Sequence, residues 1–212
     1  MNKLPVETTL YSLSEECPAQ PERRQGGERH LTLFRVGALL IDNRRELCLI
    51  KNISAGGMLL RAYCSVRPGQ PVAVELKTGQ PLAATVSWAA DGQVGLAFTC
   101  PIDVVAILAQ NDSGPRPRMP RIEANAWATL REGANSYRLR TCDISQGGAK
   151  LECQTEIPLD AAIVLSLIRL PPQPGVVRWV EGGTIGVSFN RLIPLADLVA
   201  WLQQQRDSAR AA

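Results

Sequence analysis

The segment Asn52-Ile53-Ser54-Ala55-Gly56-Gly57 returns as Asp143-Ile144-Ser145-Gln146-Gly147-Gly148, and this repetition constrains the chain more than any other feature. The offset, 143 less 52, is 91. The same offset carries Val86, Trp88, Gly92, Gly95 and Phe98 onto Val177, Trp179, Gly183, Gly186 and Phe189. Agreement over two separated blocks indicates a duplicated unit of roughly 90 residues, so function is to be sought in features that both copies carry. A chain of 212 residues has room for two such domains, each with its own core.

Within each copy, turn formers punctuate short apolar runs, as the 17 Gly and 15 Pro lead one to expect. In the first copy the pattern predicts strands at 31–39, 46–51, 58–63, 72–76, 82–88 and 94–98, with residues 52–57 breaking the second from the third. A helix is expected at 102–110, opened by Pro101. The second copy repeats this with strands at 124–130, 137–142, 149–151, 163–168, 176–180 and 185–189. A last helix begins at Pro194 and buries Leu195, Leu198, Val199 and Leu202 along one stripe, leaving residues 203–206 in water. Six short, closely spaced strands per copy suggest a small antiparallel barrel or sandwich. Trp88 and Trp179, in alternating strands, are expected in the core. The domain plan is a flexible leader at 1–22, a first domain at 23–110, a linker at 111–120 and a second domain at 121–212 ending in the helix.

Several function classes are disfavoured. A net charge of +3 is too small for a general nucleic-acid binder, so no nucleic-acid partner is expected. Cys17, Cys48, Cys64, Cys100, Cys142 and Cys153 form no Cys-x-x-Cys pair, and His30 is the single histidine, so neither a metal site nor a cofactor is expected. No apolar run approaches a membrane helix, and residues 1–17 lack the pattern of a secretory leader. The expectation is a cytoplasmic protein with reduced thiols and no membrane insertion. No paired carboxylates, nucleophile with its base, or phosphate loop marks an enzyme.

A pair of arginines precedes each repeated turn: Arg24 with Arg29, and Arg116 with Arg121. The order, two arginines, a strand pair and then Asn/Asp-x-Ser-x-Gly-Gly, resembles the PilZ domain family, whose signature is Arg-x-x-x-Arg followed by Asp/Asn-x-Ser-x-x-Gly. The resemblance covers nearly the whole chain after the leader, as a tandem pair. It implies an all-β fold with short helices: two tandem six-stranded antiparallel barrels, each followed by a helix. It further implies binding of cyclic di-GMP by Arg24, Arg29, Asn52, Ser54, Gly56 and Gly57 in the first copy. In the second copy the corresponding residues are Arg116, Arg121, Asp143, Ser145, Gly147 and Gly148.

The residue chemistry suits that ligand. Arginine offers a planar fork of donors for phosphate oxygens and for guanine O6 and N7, and its flat face stacks on a purine. A carboxylate at 143 can accept from the guanine ring N–H and amino group, and glycine lets the backbone come close. In both copies the arginines stand one residue further apart than the family spacing. That departure separates two readings: a receptor that changes domain arrangement or presents a new surface to an unidentified protein partner, and a degenerate adaptor that binds no nucleotide. In the receptor reading the arginine segments, mobile without ligand, close over it.

Overall fold

The computed structural model describes residues 31–76, 81–109 and 119–210. The leader, Arg24, Arg29, Arg116 and most of the expected linker lie outside these residues. The first six strands are β1 (Leu31–Ile41), β2 (Arg44–Ser54), β3 (Gly57–Ala62), β4 (Pro71–Glu75), β5 (Leu82–Ala90) and β6 (Gln93–Phe98). They close into a barrel in the order β1-β2-β3-β6-β5-β4, all pairings antiparallel. Tight two-residue turns make the hairpins: Asp42-Asn43 and Asp91-Gly92 have positive φ at both positions, which matches the twist of the flanking strands. Leu39, Ile50, Leu60, Val74, Val86 and Leu96 point inward and fill the barrel. The helix α1 (Val104–Ala109) follows. It starts later than Pro101 because Asp103 caps it, its Oδ1 accepting from the Ala106 N–H at 2.9 Å.

The second set is β7 (Ile122–Glu123), β8 (Trp127–Glu132), β9 (Asn135–Ser145), β10 (Gly148–Glu152), β11 (Ala162–Leu167), β12 (Gln173–Glu181) and β13 (Thr184–Phe189), and then the helix α2 (Leu195–Arg210). The sheet order β10-β13-β12-β11-β8-β9 closes through a β10–β9 pairing, giving a second six-stranded barrel. The short β7 is an addition at its side, pairing Ile122 with Ile144 and Glu123 with Asp143 on β9. The strand expected from residue 124 begins only at Trp127. Thr141 is the reason: its buried hydroxyl accepts from the Ala126 N–H at 2.9 Å and donates to the Ala124 carbonyl, holding residues 124–126 out of regular pairing.

Two expectations fail on burial. Residues 203–206 are not simply in water. The Gln203 side chain donates to the Tyr63 carbonyl at 2.8 Å, and Arg206 Nη1 reaches both carboxylate oxygens of Glu46 at 2.6 Å. The C-terminal half of α2 therefore lies against the first barrel, and Leu47 of β2 belongs to the same apolar cluster as Val199 and Leu202. Nor are the two tryptophans core residues. Trp88 is 41% exposed and Trp179 half-buried. Each lies on the outside, its indole against a glycine directly across the hairpin, Gly95 or Gly186, where a Cβ would collide with the ring. A bulge at Ser87, and at Arg178, turns each tryptophan outward.

Among the described residues no helix is long and apolar enough to cross a membrane. Glu46 is almost wholly buried, so the contact between the barrels should depend on Arg206. Replacing Arg206→Ala leaves a buried carboxylate without its cation, at a cost of about 2–3 kcal/mol. Denaturant unfolding should show that loss. The double variant Glu46→Leu/Arg206→Leu should recover most of it, since no charge then remains buried.

Candidate ligand site

The repeated turn performs the same task in both barrels. Asn52 and Ser54 are the last residues of β2, and Gly57 opens β3, so the motif is a tight hairpin inside the sheet more than a break between strands. The Ser54 hydroxyl donates to the Gly57 carbonyl at 3.3 Å, and Ser145 to Gly148 at 3.2 Å. The turn carbonyls in turn anchor the end of the last strand and the segment leading to the helix. Phe98 N–H donates to Gly56 and Ile102 N–H to Ala55; in the second barrel Phe189 donates to Gly147 and Ile193 to Gln146. Gly57 and Gly148 are needed for packing, because a Cβ at either would fall within the radius of a carbonyl oxygen on the facing strand, that of Leu96 or Val187. Gly56 faces open space. Gly147 is in ordinary contact distance of Leu192 and Met119.

The two copies differ at their first position. Both have a bulge just before it, at Lys51 and at Cys142, which displaces the next side chain. In the first barrel Asn52 turns back on its own sheet, its Oδ1 accepting from the Leu59 N–H at 3.2 Å. In the second barrel Asp143 faces a cation instead, accepting from Arg121 Nη1 at 2.8 Å. Both partners are partly exposed, so this is a guanidinium held in place by a carboxylate and still open to solvent.

Arg121 and Asp143 stand between two hollows. One, of about 240 Å³, is on the second barrel and is lined by Met119, Arg121, Ser145, Gly147, Arg178 and Trp179 with the outer edge of β13. The other, about 560 Å³, lies between the barrels; Asn43, Arg44, Arg45, Arg206, Glu123 and the Arg121–Asp143 pair surround it. The first hollow thus gathers Arg121, Ser145 and Gly147, with Gly148 and Asp143 adjoining in sequence and contact. Arg178 is a second cation that sequence reasoning did not single out. It occupies the β12 bulge, and its Nη1 sits 3.2 Å from Asp160. The residue at the same place in the first barrel is Ser87, 91 positions earlier, which is why a search for shared features passed over it.

Thiol chemistry is not on offer at the described cysteines whose titration is displaced. Burial pushes Cys48 up to about 12 and Cys64 up to about 11, and it raises Cys142 as well. These thiols stay protonated at neutral pH and are poor nucleophiles. Among the described residues no group of His, Cys, Asp and Glu is placed to hold a metal ion.

The family profile described as "PilZ domain" matches residues 23–110 and again 115–204. No curated protein matches the sequence. Solved structures that resemble the chain include the Borreliella burgdorferi PlzA protein in complex with c-di-GMP, at 10% identity, covering 79% of this chain and 86% of that one with a TM-score of 0.33. YcgR from Escherichia coli in complex with c-di-GMP has 14% identity, 84% coverage of each chain and a TM-score of 0.33. The Bacillus subtilis inhibitor of motility MotI/DgrA has 13% identity, covers 85% of this chain and 98% of that one, and has a TM-score of 0.36.

The turn glycines differ in what a side chain would meet. Gly148→Ala should destabilise the protein by about 1–3 kcal/mol through a forced separation of β10 from β13, whereas Gly56→Ala should be near neutral. Denaturant midpoints compared at constant slope measure both.

Proposed function

Because the chain belongs to the PilZ domain family, we propose that it is a cytoplasmic receptor for cyclic di-GMP, acting by binding and not by catalysis, and that its second barrel holds the main site. The observation that carries this reading is the hollow where Arg121, Arg178, Ser145 and Gly147 meet beside Asp143 and Trp179. Two guanidiniums supply what a cyclic dinucleotide demands: bidentate donors for phosphate and for the guanine O6/N7 edge, with planar faces that stack on a purine. Asp143 offers the acceptor that guanine N–H groups need. At about 240 Å³ the hollow is smaller than the roughly 300 Å³ at which pockets begin to enclose a drug-sized ligand. It suits one guanine and its phosphate, with the rest of the ligand on open surface.

The first barrel is a weaker candidate on the same chemistry. Ser87 stands where Arg178 is, Ala97 where Ser188 is, and Asn52 is engaged with its own sheet. Arg24, Arg29 and Arg116 complete the proposed arginine set in the two copies. Since Arg121 and Asp143 also border the space between the barrels, a ligand that takes over Arg121 releases Asp143 and changes the charge balance there. Domain arrangement, and with it the surface shown to a protein partner, would follow ligand occupancy.

Calorimetric titration tests this reading. Cyclic di-GMP should bind in preference to GTP, and Arg121→Ala or Arg178→Ala should each weaken it by about 1–3 kcal/mol, whereas Ser87→Ala should change nothing. Absence of heat with cyclic di-GMP up to about 100 μM, near −5.5 kcal/mol, would instead support an adaptor that has lost the nucleotide.

A further inference from the structure

The two barrels share a register but not an outer surface. On the β1–β2 pair the outward positions are Val36, Ala38 and Leu40, facing Leu49, Leu47 and Arg45. At the offset of 91 the β8–β9 pair places Trp127, Thr129 and Arg131 opposite Arg140, Arg138 and Ser136, each pair in the same relation. In the first barrel this face is apolar apart from Arg45 at its edge, and Leu47 at its centre is covered. Leu47 lies in one cluster with Val199 and Leu202 of α2, Val36 packs on the same cluster, and Arg206 caps the contact through Glu46. The fold therefore already seats a helix on this face once.

In the second barrel the equivalent face is open. Trp127 is 46% exposed, and Ile168, one residue past the Leu167–Ala128 pair that adjoins it, is 73% exposed. Around them stand Arg131, Arg138 and Arg140, all exposed. Arg138 and Arg140 lie over the Trp127 ring, 4.5 and 5.0 Å from its centroid. Among the described residues none of the three arginines forms an ion pair; Glu152, directly across from Arg140 on β10, is not within ion-pair distance of it. Two apolar anchors fringed by unneutralised guanidiniums are the composition of an interface centre, where Trp and Arg carry most of the binding energy. None of these residues lines the proposed nucleotide hollow.

We propose that the β8–β9 face of the second barrel is a docking site for an acidic amphipathic helix of a partner protein. The apolar stripe of such a helix would sit on Trp127 and Ile168, as α2 sits on Leu47, and its carboxylates would pair with Arg131, Arg138 and Arg140. The charge selects carboxylates, and the repeat selects a helix. Single-stranded nucleic acid fits less well, because one indole offers no succession of faces on which consecutive bases stack.

The test is fluorescence anisotropy of the full chain with a labelled peptide built on α2, keeping its apolar stripe and carrying glutamate at the remaining positions. A lysine version of the peptide and an oligothymidylate serve as comparisons. The acidic peptide should bind, and more weakly as salt rises. Arg138→Glu/Arg140→Glu should weaken it at least about tenfold, and Trp127→Ala by a similar factor. The cyclic di-GMP titration and the unfolding midpoint of the arginine variant should stay as in the wild type, which separates a failure here from a failure of the receptor reading. Equal binding of acidic and basic peptides, no binding of the acidic peptide, or equal binding by wild type and arginine variant would overturn the proposal. The last result would place the peptide on the first barrel in competition with α2. If oligothymidylate binds with the same dependence on Arg138 and Arg140 while the peptide does not, the face is a nucleic-acid surface and the proposal is wrong.

Discussion

In each barrel one carbonyl oxygen, Leu96 in the first and Val187 in the second, occupies the space where a side chain on the opposite strand would begin. Only glycine at 57 and 148 permits that approach, and the approach lets the turn carbonyls of Ala55, Gly56, Gln146 and Gly147 bind the backbone of the next connection. The end of β6 or β13 and the lead into the following helix are thereby tied to the β2–β3 or β9–β10 hairpin. Much of the repeated motif thus serves closure of the barrel, and its serine hydroxyls are bonded within the turn. What remains for a ligand is the side chain at the bulge-displaced first position and the cations that approach it.

This division explains which features the sequence made legible. Six strands per copy and the duplication were legible because turn chemistry and alternation are local and occur twice, whereas the choice of barrel over sandwich came from the family resemblance and the short β7 was not foreseen. That Arg121, Asp143 and Ser145 lie close together was legible because they belong to a short spaced motif. Trp88 and Trp179 were misread as core because alternation alone cannot register a bulge; one extra residue at Ser87 or Arg178 sends the next side chain to the other face. The repeated glycines at 95 and 186 were the available clue, since each makes room for an indole. Arg178 stayed hidden for the opposite reason: it has no counterpart in the first copy, and only the closed sheet brings β12 beside the turn.

The helix α2 shows a similar limit. Its apolar stripe predicted one buried face, but nothing local in residues 203–206 shows that Glu46, distant in sequence, is buried and requires a cation. Burying that carboxylate is costly unless a guanidinium accompanies it, so the pair adds little net stability although losing one partner is costly. Divergence between the copies then becomes informative. Positions 36 and 47 are apolar where they pack in one cluster with Val199 and Leu202 of α2. Positions 127, 129 and 138 carry tryptophan, threonine and arginine, and all three are exposed.

The location of Arg121 joins these features. It precedes β7, whose two residues pair with β9 and approach β2 of the other barrel, and it borders both the hollow on the second barrel and the space between barrels. Only Nη1 of Arg121 is engaged by Asp143, so an anionic ligand that drew on the same nitrogen would compete with the carboxylate, while the remaining guanidinium donors are open to it. If the contact with Asp143 contributes differently when the barrels are docked or apart, ligand binding and docking are linked, and linkage is reciprocal. In the proposed receptor, ligand would then shift the docking equilibrium by the same factor by which docking shifts ligand affinity, and the Glu46–Arg206 contact would set its starting point. The proposed coupling needs no large rearrangement inside either barrel, since the two closed sheets can remain rigid while a few charged contacts between them exchange partners.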